Sequence, residues 1–192
     1  MDMPPSGQAY KPGREIVLAP HSTAWGPAFE REASAIREAL SDLSIELHHV
    51  GSTAIPGIVA KPVIDMLGIV PAVEELDVCV HRLAALEYEA LGEFGIPGRR
   101  YFRRDGPDGA RTHQLHAFSG GSPEIQRHLD YLRGFPAEAA SYATLKQGLA
   151  RRCGDDMHAY SDGKSEFIGV IERRAAAWRL RVGSSHSSTQ VV

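Results

Sequence analysis

The chain has 192 residues, which is enough to bury a substantial core and fits one globular domain better than two. Apolar residues make up 43% and charged residues 23%, values typical of a folded domain, so the composition excludes global disorder. The formal charge of -3 makes nucleic-acid binding an unlikely main function, and the sequence shows neither a membrane-spanning apolar stretch nor a secretory signal.

The two cysteines, Cys79 and Cys153, lie far apart and show no metal-ligand spacing. Such cysteine usage is typical of a reduced, cytoplasmic protein. We therefore expect one cytoplasmic domain over residues 14–180, between a flexible N-terminus at 1–13 and a flexible tail at 181–192.

The first predicted elements are a short strand over residues 14–20, closed by a proline, and an amphipathic helix over residues 21–40. Ser22 or Thr23 is the expected N-cap of this helix. Apolar residues recur every three or four positions along it, at Trp25, Phe29, Ala33, Ile36 and Leu40.

Two buried strands are expected next, over residues 45–50 and 62–70, because both runs are rich in apolar and β-branched residues and are bounded by Gly or Pro. Residues 72–88 have helical spacing, so this segment should return across the sheet. The motif GPDG between RRYFRRD and RTHQLHAF predicts a β-hairpin from about 99 to 118.

The C-terminal third has a helical pattern, with helices expected over about 123–134, 136–152 and 164–180. The segment CGDDMHAYSDG is the expected connection before the last helix, and Asp162 is its expected N-cap. The chain therefore predicts a mixed α/β fold with a helical C-terminal part.

The loop between the two buried strands is the strongest candidate site. In the stretch HVGSTAIPGIVAKPVIDML, Gly51 allows close approach of a ligand, and Ser52 with the following amides can bind phosphate oxygens. Asp65 lies within an apolar strand, where a carboxylate is costly unless it is paired or coordinates a cation. Lys61 can pair with Asp65 or with a phosphate. A purely structural turn with a salt-bridged Asp65 is the alternative.

The histidines form a second candidate set. On a strand, His116 and Gln114 point to one face and His113 to the other, and His48 and His49 alternate in the same way. If the sheet places this strand beside the one that carries Asp65, His116 and Asp65 can hold Mn²⁺ or Zn²⁺. A partly buried, hydrogen-bonded histidine is an equally good interpretation of His116.

Basic and aromatic residues of the C-terminal third can receive a triphosphate. The candidates are Arg133, Lys146, Tyr160 and Lys164. Lys164 is expected at the start of the last helix, where the helix dipole also favours anions. The alternative places Arg133 and Lys146 on solvated helix faces.

Four separated blocks resemble the GrpB family, over about residues 14 to 178. They are HVGSTAIPGIVAKPVIDML, RTHQLHAF, DYLRGFPAEAASYATLKQGLA and AYSDGKSEFI. The resemblance implies a nucleotidyltransferase-like mixed sheet flanked by helices, with a helical C-terminal part closing over the cleft.

In active nucleotidyltransferases the Gly-Ser loop holds the nucleoside triphosphate, and two carboxylates on the next strand bind two Mg²⁺ ions. The resemblance maps Gly51 and Ser52 onto the loop and Asp65 onto the first carboxylate, but the second position is Leu67. Three hypotheses follow: nucleotidyl transfer to an unknown acceptor with Mg²⁺ or Mn²⁺, a catalytically inactive nucleotide- or anion-binding module, and a metal-dependent hydrolase that uses Asp65 and His116.

Overall fold

The computed structural model describes residues 16–120 and 131–186. The first part contains two α-helices, α1 (Trp25–Ala39) and α2 (Val73–Ala85). It also contains five strands: β1 (Glu46–Val50), β2 (Ile64–Val70), β3 (Glu89–Ala90), β4 (Arg99–Asp105) and β5 (Arg111–Ser119). A turn of 3-10 helix, Ser52–Ala54, follows β1. The second part contributes α3 (Pro136–Cys153) and α4 (Met157–His186).

The strands form one mixed sheet in the order β1-β2-β5-β4-β3. Strands β2 and β5 are parallel, and every other pair is antiparallel. Asp65 of β2 lies opposite Gln114 of β5, and Leu67 lies opposite His116. This pairing places the predicted carboxylate and the predicted histidine on neighbouring strands.

Each face of the sheet has its own hydrophobic core. Helices α1 and α2 pack on one face through residues such as Phe29 and Leu76, which meet Met66 and Leu115. On the other face, Leu67 packs with residues of the C-terminal helical part such as Tyr142 and Ile171. Because side chains alternate along a strand, β2 supplies Met66 to the first core and Leu67 to the second.

Local sequence explains why α2 and α3 begin and end where they do. Glu74 and Glu75 lie in the first turn of α2 and Arg82 in its last, which complements the helix dipole. The hydroxyl of Ser119, at the end of β5, accepts a hydrogen bond of 2.9 Å from the Val73 amide and so caps α2. Helix α3 begins at Pro136, where the missing amide proton costs nothing.

The structure confirms the mixed α/β class, the two buried strands, the helices near 21–40, 72–88 and 136–152, and the hairpin. The predicted strand at the N-terminus is wrong over its described residues, where the only sheet-like contact is an isolated bridge between Ala19 and Ala60. Ala24 is the N-cap of α1, although the Ser22 hydroxyl accepts a hydrogen bond from its amide at 3.2 Å.

The last helix begins seven residues before its predicted start, at Met157 rather than 164. Asp156 makes the capping interaction, because its Oδ1 accepts a hydrogen bond from the Ala159 amide at 2.9 Å. The prediction of Asp162 as the N-cap is therefore wrong. The helix also extends through His186, into the segment expected to be a tail.

Two further expectations stay predictions. The predicted helix over 123–134 lies outside the described residues except for a helical turn at 131–134. The division into one domain with flexible ends is likewise not decided by the described part of the chain. Among the described helices, none is both long enough and apolar enough to cross a membrane.

Candidate functional site

Asp65 lies on the face of the sheet that the C-terminal helices cover. We call the space around Asp65, between β2, β5, β4 and these helices, the cleft. Gln114 is its neighbour on β5, and the Tyr101 hydroxyl of β4 donates a hydrogen bond of 2.6 Å to Gln114 Oε1. Arg111 donates in turn to the Tyr101 hydroxyl at 3.0 Å, while its Nε donates to Asp105 at 2.8 Å. These bonds form a polar array on β4 and β5, and its member Gln114 lies beside Asp65 in the sheet.

The Gly51 turn lies directly against Asp65, as the loop motif predicts. Gly51 has a φ of 71° and a ψ of -170°, a conformation nearly restricted to glycine. A Cβ atom at this position would lie 2.3 Å from Asp65 Oδ2. Only glycine therefore allows the chain to turn over the carboxylate. Ser52 begins the 3-10 turn and forms a side-chain hydrogen bond with Tyr142 of α3.

Lysines converge on the cleft from the loop and from α4. The Lys164 Nζ lies 4.5 Å from the centroid of the Tyr160 ring, and the Lys61 Nζ lies 5.4 Å from the same centroid. The sequence has four lysines, and three of them, Lys61, Lys146 and Lys164, surround this cleft. The fourth, Lys11, lies outside the described residues.

Burial and charge together perturb the titration of these groups. Desolvation raises the pKa of Asp65 to about 6, although Lys61, Lys164 and Arg111 all favour the carboxylate. Desolvation lowers the pKa of Lys164 to about 8, and repulsion from Lys61 lowers it further while Asp65 opposes the shift. The pKa of Lys61 is lowered by desolvation and, in smaller part, by Arg111. Three cations thus lie around Asp65, and one of them, Arg111, is also paired with Asp105.

The structure places Lys146 and Arg133 against the loop backbone. Lys146 is only 2% exposed, its Nζ donates a hydrogen bond to the Val59 carbonyl, and desolvation lowers its pKa to about 7. Arg133 donates through Nε to the Ala54 carbonyl at 3.0 Å. Both contacts stabilise the loop that carries Gly51 and Ser52. The expectation that these two residues receive phosphate directly stays a prediction.

Lys164 does not occupy a helix N-terminus. It lies in the second turn of α4, which begins at Met157, so the helix dipole cannot add to its charge in the way the sequence suggested. The helix nevertheless directs Lys164 onto the same aromatic ring as Lys61. Lys164 is therefore part of the Asp65 site rather than of a separate anion site.

His116 lies beside Leu67, two residues along β2 from Asp65 and on the same face of the sheet. Its Nδ1 is 3.1 Å from Arg99 Nη1, and a guanidinium only donates, so Nδ1 accepts and the neutral ring carries its proton on Nε2. Desolvation, followed by Arg99, lowers the pKa of His116 to about 4. The structure thus shows His116 paired with Arg99, and its expected role as a metal ligand stays a prediction.

The alternation predicted for the other candidate histidines is confirmed. His113 contacts Arg104 at 3.0 Å on the face that packs against α1. His49 stacks on Phe29 and lies 3.0 Å from the Thr53 hydroxyl, also on the α1 side. His48 pairs with Leu67, so it lies on the same face of the sheet as Asp65, where it contacts Glu46.

The side chains do not fit a two-cation centre. Leu67, at the position of the second carboxylate, is 1% exposed and belongs to the second core. Across residues 16–120 and 131–186, no three His, Cys, Asp or Glu side chains are grouped so that they could hold a metal ion. Among the described residues, the carboxylates of this site are Asp65, around which three cations lie, and Asp105, which is paired with Arg111.

Sequence reasoning missed Tyr101, Arg111 and Gln114. They reach Asp65 only because β5 pairs with β2 and β4 pairs with β5, which no local pattern specifies. The available signal was the density of basic and aromatic residues in RRYFRRD, which is unusual for a strand in the middle of a sheet. That signal marks the strand as unusual but not what lies opposite it.

Two concave surfaces lie away from Asp65. One, of about 520 Å³, includes Tyr131, Phe135 and Trp178, and the other, of about 430 Å³, lies between residues 55–59 and α3. Neither includes Asp65, Lys61 or Lys164. The cleft is therefore distinguished by its charged groups and hydrogen bonds and not by either of these two concave surfaces.

The fold and cleft define a mixed α/β protein in which a glycine turn, one carboxylate and several cations meet beneath C-terminal helices. The sequence model of the GrpB protein family matches residues 15–174. The chain belongs to the GrpB family.

Individual relatives agree with this assignment. The UPF0157 protein YqkA of Bacillus subtilis is 38% identical over 180 residues, which cover 92% of this chain and 52% of YqkA. The chain thus spans about half the length of that relative. The crystal structure of GrpB from Enterococcus faecalis has a TM-score of 0.77 and 37% identity, and the match covers 83% of this chain and 96% of that one.

A weaker similarity links 70% of this chain to 45% of the Cid1 poly(U) polymerase with MgGTP bound, at 12% identity and a TM-score of 0.49.

Proposed function

We propose that the protein binds the phosphate groups of a nucleoside triphosphate in the cleft. The observation that carries this proposal is the convergence of Lys61, Lys164 and Arg111 on one carboxylate, Asp65, beside the Gly51 turn. Although Arg111 is also paired with Asp105, the three cations still outnumber the two carboxylates, and such an excess of positive charge favours an anionic ligand.

Phosphate suits these groups better than a simple carboxylate ligand does. The lysines act as point charges, and the guanidinium of Arg111 has a fork of donors suited to phosphate oxygens. Lys61 and Lys164 also repel each other, since each ammonium approaches the same Tyr160 ring. A polyanion between them relieves this repulsion, so the ligand-free site is the less favourable state.

Nucleotidyl transfer is the second candidate, favoured by the contact between the Gly51 turn and Asp65. With its pKa raised to about 6, Asp65 is mostly ionised at neutral pH and is a suitable general base. It would accept the proton of an acceptor hydroxyl as that oxygen bonds to the α-phosphorus. The bond from the α-phosphorus to the bridging oxygen breaks, and pyrophosphate leaves with both electrons. Lys61, Lys164 and Arg111 would offset the developing negative charge.

The test is calorimetric and thermal-shift titration with ATP, GTP, CTP and UTP, each with Mg²⁺, with Mn²⁺ and with a chelator. A ligand at about 100 times its dissociation constant adds about 2.7 kcal/mol, or roughly 5–10 °C for a chain of this size. Lys164→Met should abolish the shift, and Arg151→Met, at an exposed position of α3, is the matched control. The absence of any shift in the wild-type protein would refute nucleotide binding.

The chelator arm addresses the expected Mg²⁺ or Mn²⁺. Because the cations of the protein contact the phosphates directly in this proposal, binding should survive chelation with reduced affinity. Pyrophosphate release from the bound triphosphate, measured with candidate hydroxyl acceptors, separates transfer from binding alone.

Two other expectations remain in the proposal. A hydrolase that uses Asp65 and His116 would retain a transition metal after purification, so metal analysis of the purified protein tests it directly. A cytoplasmic location is consistent with Cys79 and Cys153, which are both free thiols.

A further inference from the structure

The loop between β3 and β4 displays an aromatic ring at the rim of the cleft. Phe94 is 46% exposed and has a φ of 44°, a backbone conformation that bulky side chains rarely adopt. Hydrogen bonds fix both ends of the loop: the Tyr101 amide donates to Gly92 at 2.8 Å, and the Gly98 amide donates to Glu93 at 2.7 Å. A strained and exposed ring on a fixed loop indicates a role other than packing.

Arg99 holds this loop in place from below. It is 6% exposed, and its Nη2 donates to the Phe94 carbonyl at 2.7 Å while its Nε donates to the Glu93 carbonyl at 3.1 Å. Its Nη1 donates to His116 at 3.1 Å. Within the described part of the chain its recorded partners are neutral acceptors, with no carboxylate among them. A buried positive charge therefore lies directly beneath the loop.

The exposed ring is continuous with the cleft. The Phe94 ring centroid lies 5.2 Å from that of Tyr101, and the Tyr101 centroid lies 5.0 Å from that of His116. Tyr101 is also the residue that joins Gln114 and Arg111 by hydrogen bonds. An aromatic row thus runs from solvent at Phe94 to the polar array beside Asp65.

We propose that Phe94 provides the stacking surface for the nucleobase of the nucleotide whose phosphates bind at Lys61, Lys164 and Arg111. The inference rests on the proposed nucleotide binding and adds the location of the base. An exposed aromatic ring stacks on any base because every base has a π-face, whereas Lys61 and Lys164 select only the phosphates.

The experiment compares two nucleotides, which carry a base, with one phosphate ligand that does not. Dissociation constants for ATP, UTP and inorganic tripolyphosphate are measured for the wild-type protein, Phe94→Ala and Phe94→Tyr. Ile96→Ala is the matched control, because Ile96 is 45% exposed on the same loop. Alanine at 94 meets the same backbone constraint as phenylalanine, and circular dichroism with urea unfolding verifies that each variant is folded.

We expect Phe94→Ala to weaken binding of ATP or UTP roughly fivefold or more, as removal of a base-stacking ring does, with tripolyphosphate affected less than twofold. Phe94→Tyr should retain wild-type affinity, and Ile96→Ala should change neither class of ligand. Equal loss for nucleotide and tripolyphosphate, or no loss for either nucleotide, would overturn the stacking role while leaving phosphate binding intact. If wild-type protein binds none of the three ligands, the proposed function fails first, and the base site fails with it.

Discussion

Replacement of Gly51 by alanine tests whether the turn is shaped around Asp65. The new Cβ would lie 2.3 Å from Asp65 Oδ2, 2.9 Å from its Cβ and 3.0 Å from its Cγ, so one of the two segments must move. The φ of 71° with a ψ of -170° adds a conformational cost of about 1–3 kcal/mol for any residue with a Cβ. Overpacking adds a further 1–3 kcal/mol.

The expected loss of unfolding free energy is therefore about 4 kcal/mol, equivalent to a decrease in melting temperature of roughly 8–16 °C for a chain of this size. Gly57→Ala is the matched control. Gly57 also has a positive φ, 78°, but no atom lies within 4 Å of its Cβ position. Its variant should incur the conformational cost alone.

Urea unfolding followed by circular dichroism measures both variants, and Asp65→Ala completes a double-mutant cycle. Removal of the carboxylate eliminates the contacts at 2.3 and 3.0 Å, so Gly51→Ala should be about 1–2 kcal/mol less destabilising in that background. If Gly51→Ala and Gly57→Ala are equally destabilising and the cycle shows no coupling, the contact between turn and carboxylate does not determine the shape of this loop.

Three further predictions address the titration and packing of the C-terminal helices and the cleft. Labelling of Lys164 by an amine-reactive reagent, followed by peptide mass spectrometry, should rise with pH about a midpoint near 8, and bound triphosphate should suppress it. The pKa of Asp65 is raised from 3.8 to about 6, so the folded state binds the extra proton, and wild-type stability should fall relative to Asp65→Asn as pH rises through that window. Gly163→Ala should lower the free energy of unfolding, because its Cβ would lie 2.3 Å from Leu149 Cδ2. In a Leu149→Ala background the same change should raise that free energy by roughly 1 kcal/mol, as Ala favours a helix over Gly. Gly169→Ala, whose Cβ would make only an ordinary 3.6 Å contact, should be stabilising in both backgrounds.

Local patterns predicted the elements whose burial is visible in the order of their own apolar residues. Phe29, Ala33 and Ile36 recur on one face of α1, and the strand that carries Asp65 is a continuous apolar run because both of its faces are covered. The loop motif also located the contact between Gly51 and Asp65, since its Gly-Ser pair and its Asp lie at the adjoining ends of two strands that pair.

Features that depend on distant contacts were not predicted. Gly163 resembled a break before the last helix, but it lies inside α4, where a side chain would collide with Leu149 of α3. The sequence alone does not distinguish a glycine that allows close helix packing from a glycine that ends a helix. Likewise, Tyr101 and Arg111 enter the site only through the strand order, which the sequence leaves open.

The structure around Leu67, which occupies the position of the second carboxylate, agrees with the loss of that carboxylate. Leu67 is not an isolated substitution, because its side chain is buried in the core that attaches the C-terminal helices to the sheet. Burial, and then Arg99, lowers the pKa of the neighbouring His116, so the position offers no anion to a second cation. The positive charge that two metal ions would supply is instead present as Lys61, Lys164 and Arg111 around Asp65. Under the proposed function, this chain would therefore hold phosphates with its own cations rather than with a pair of metal ions.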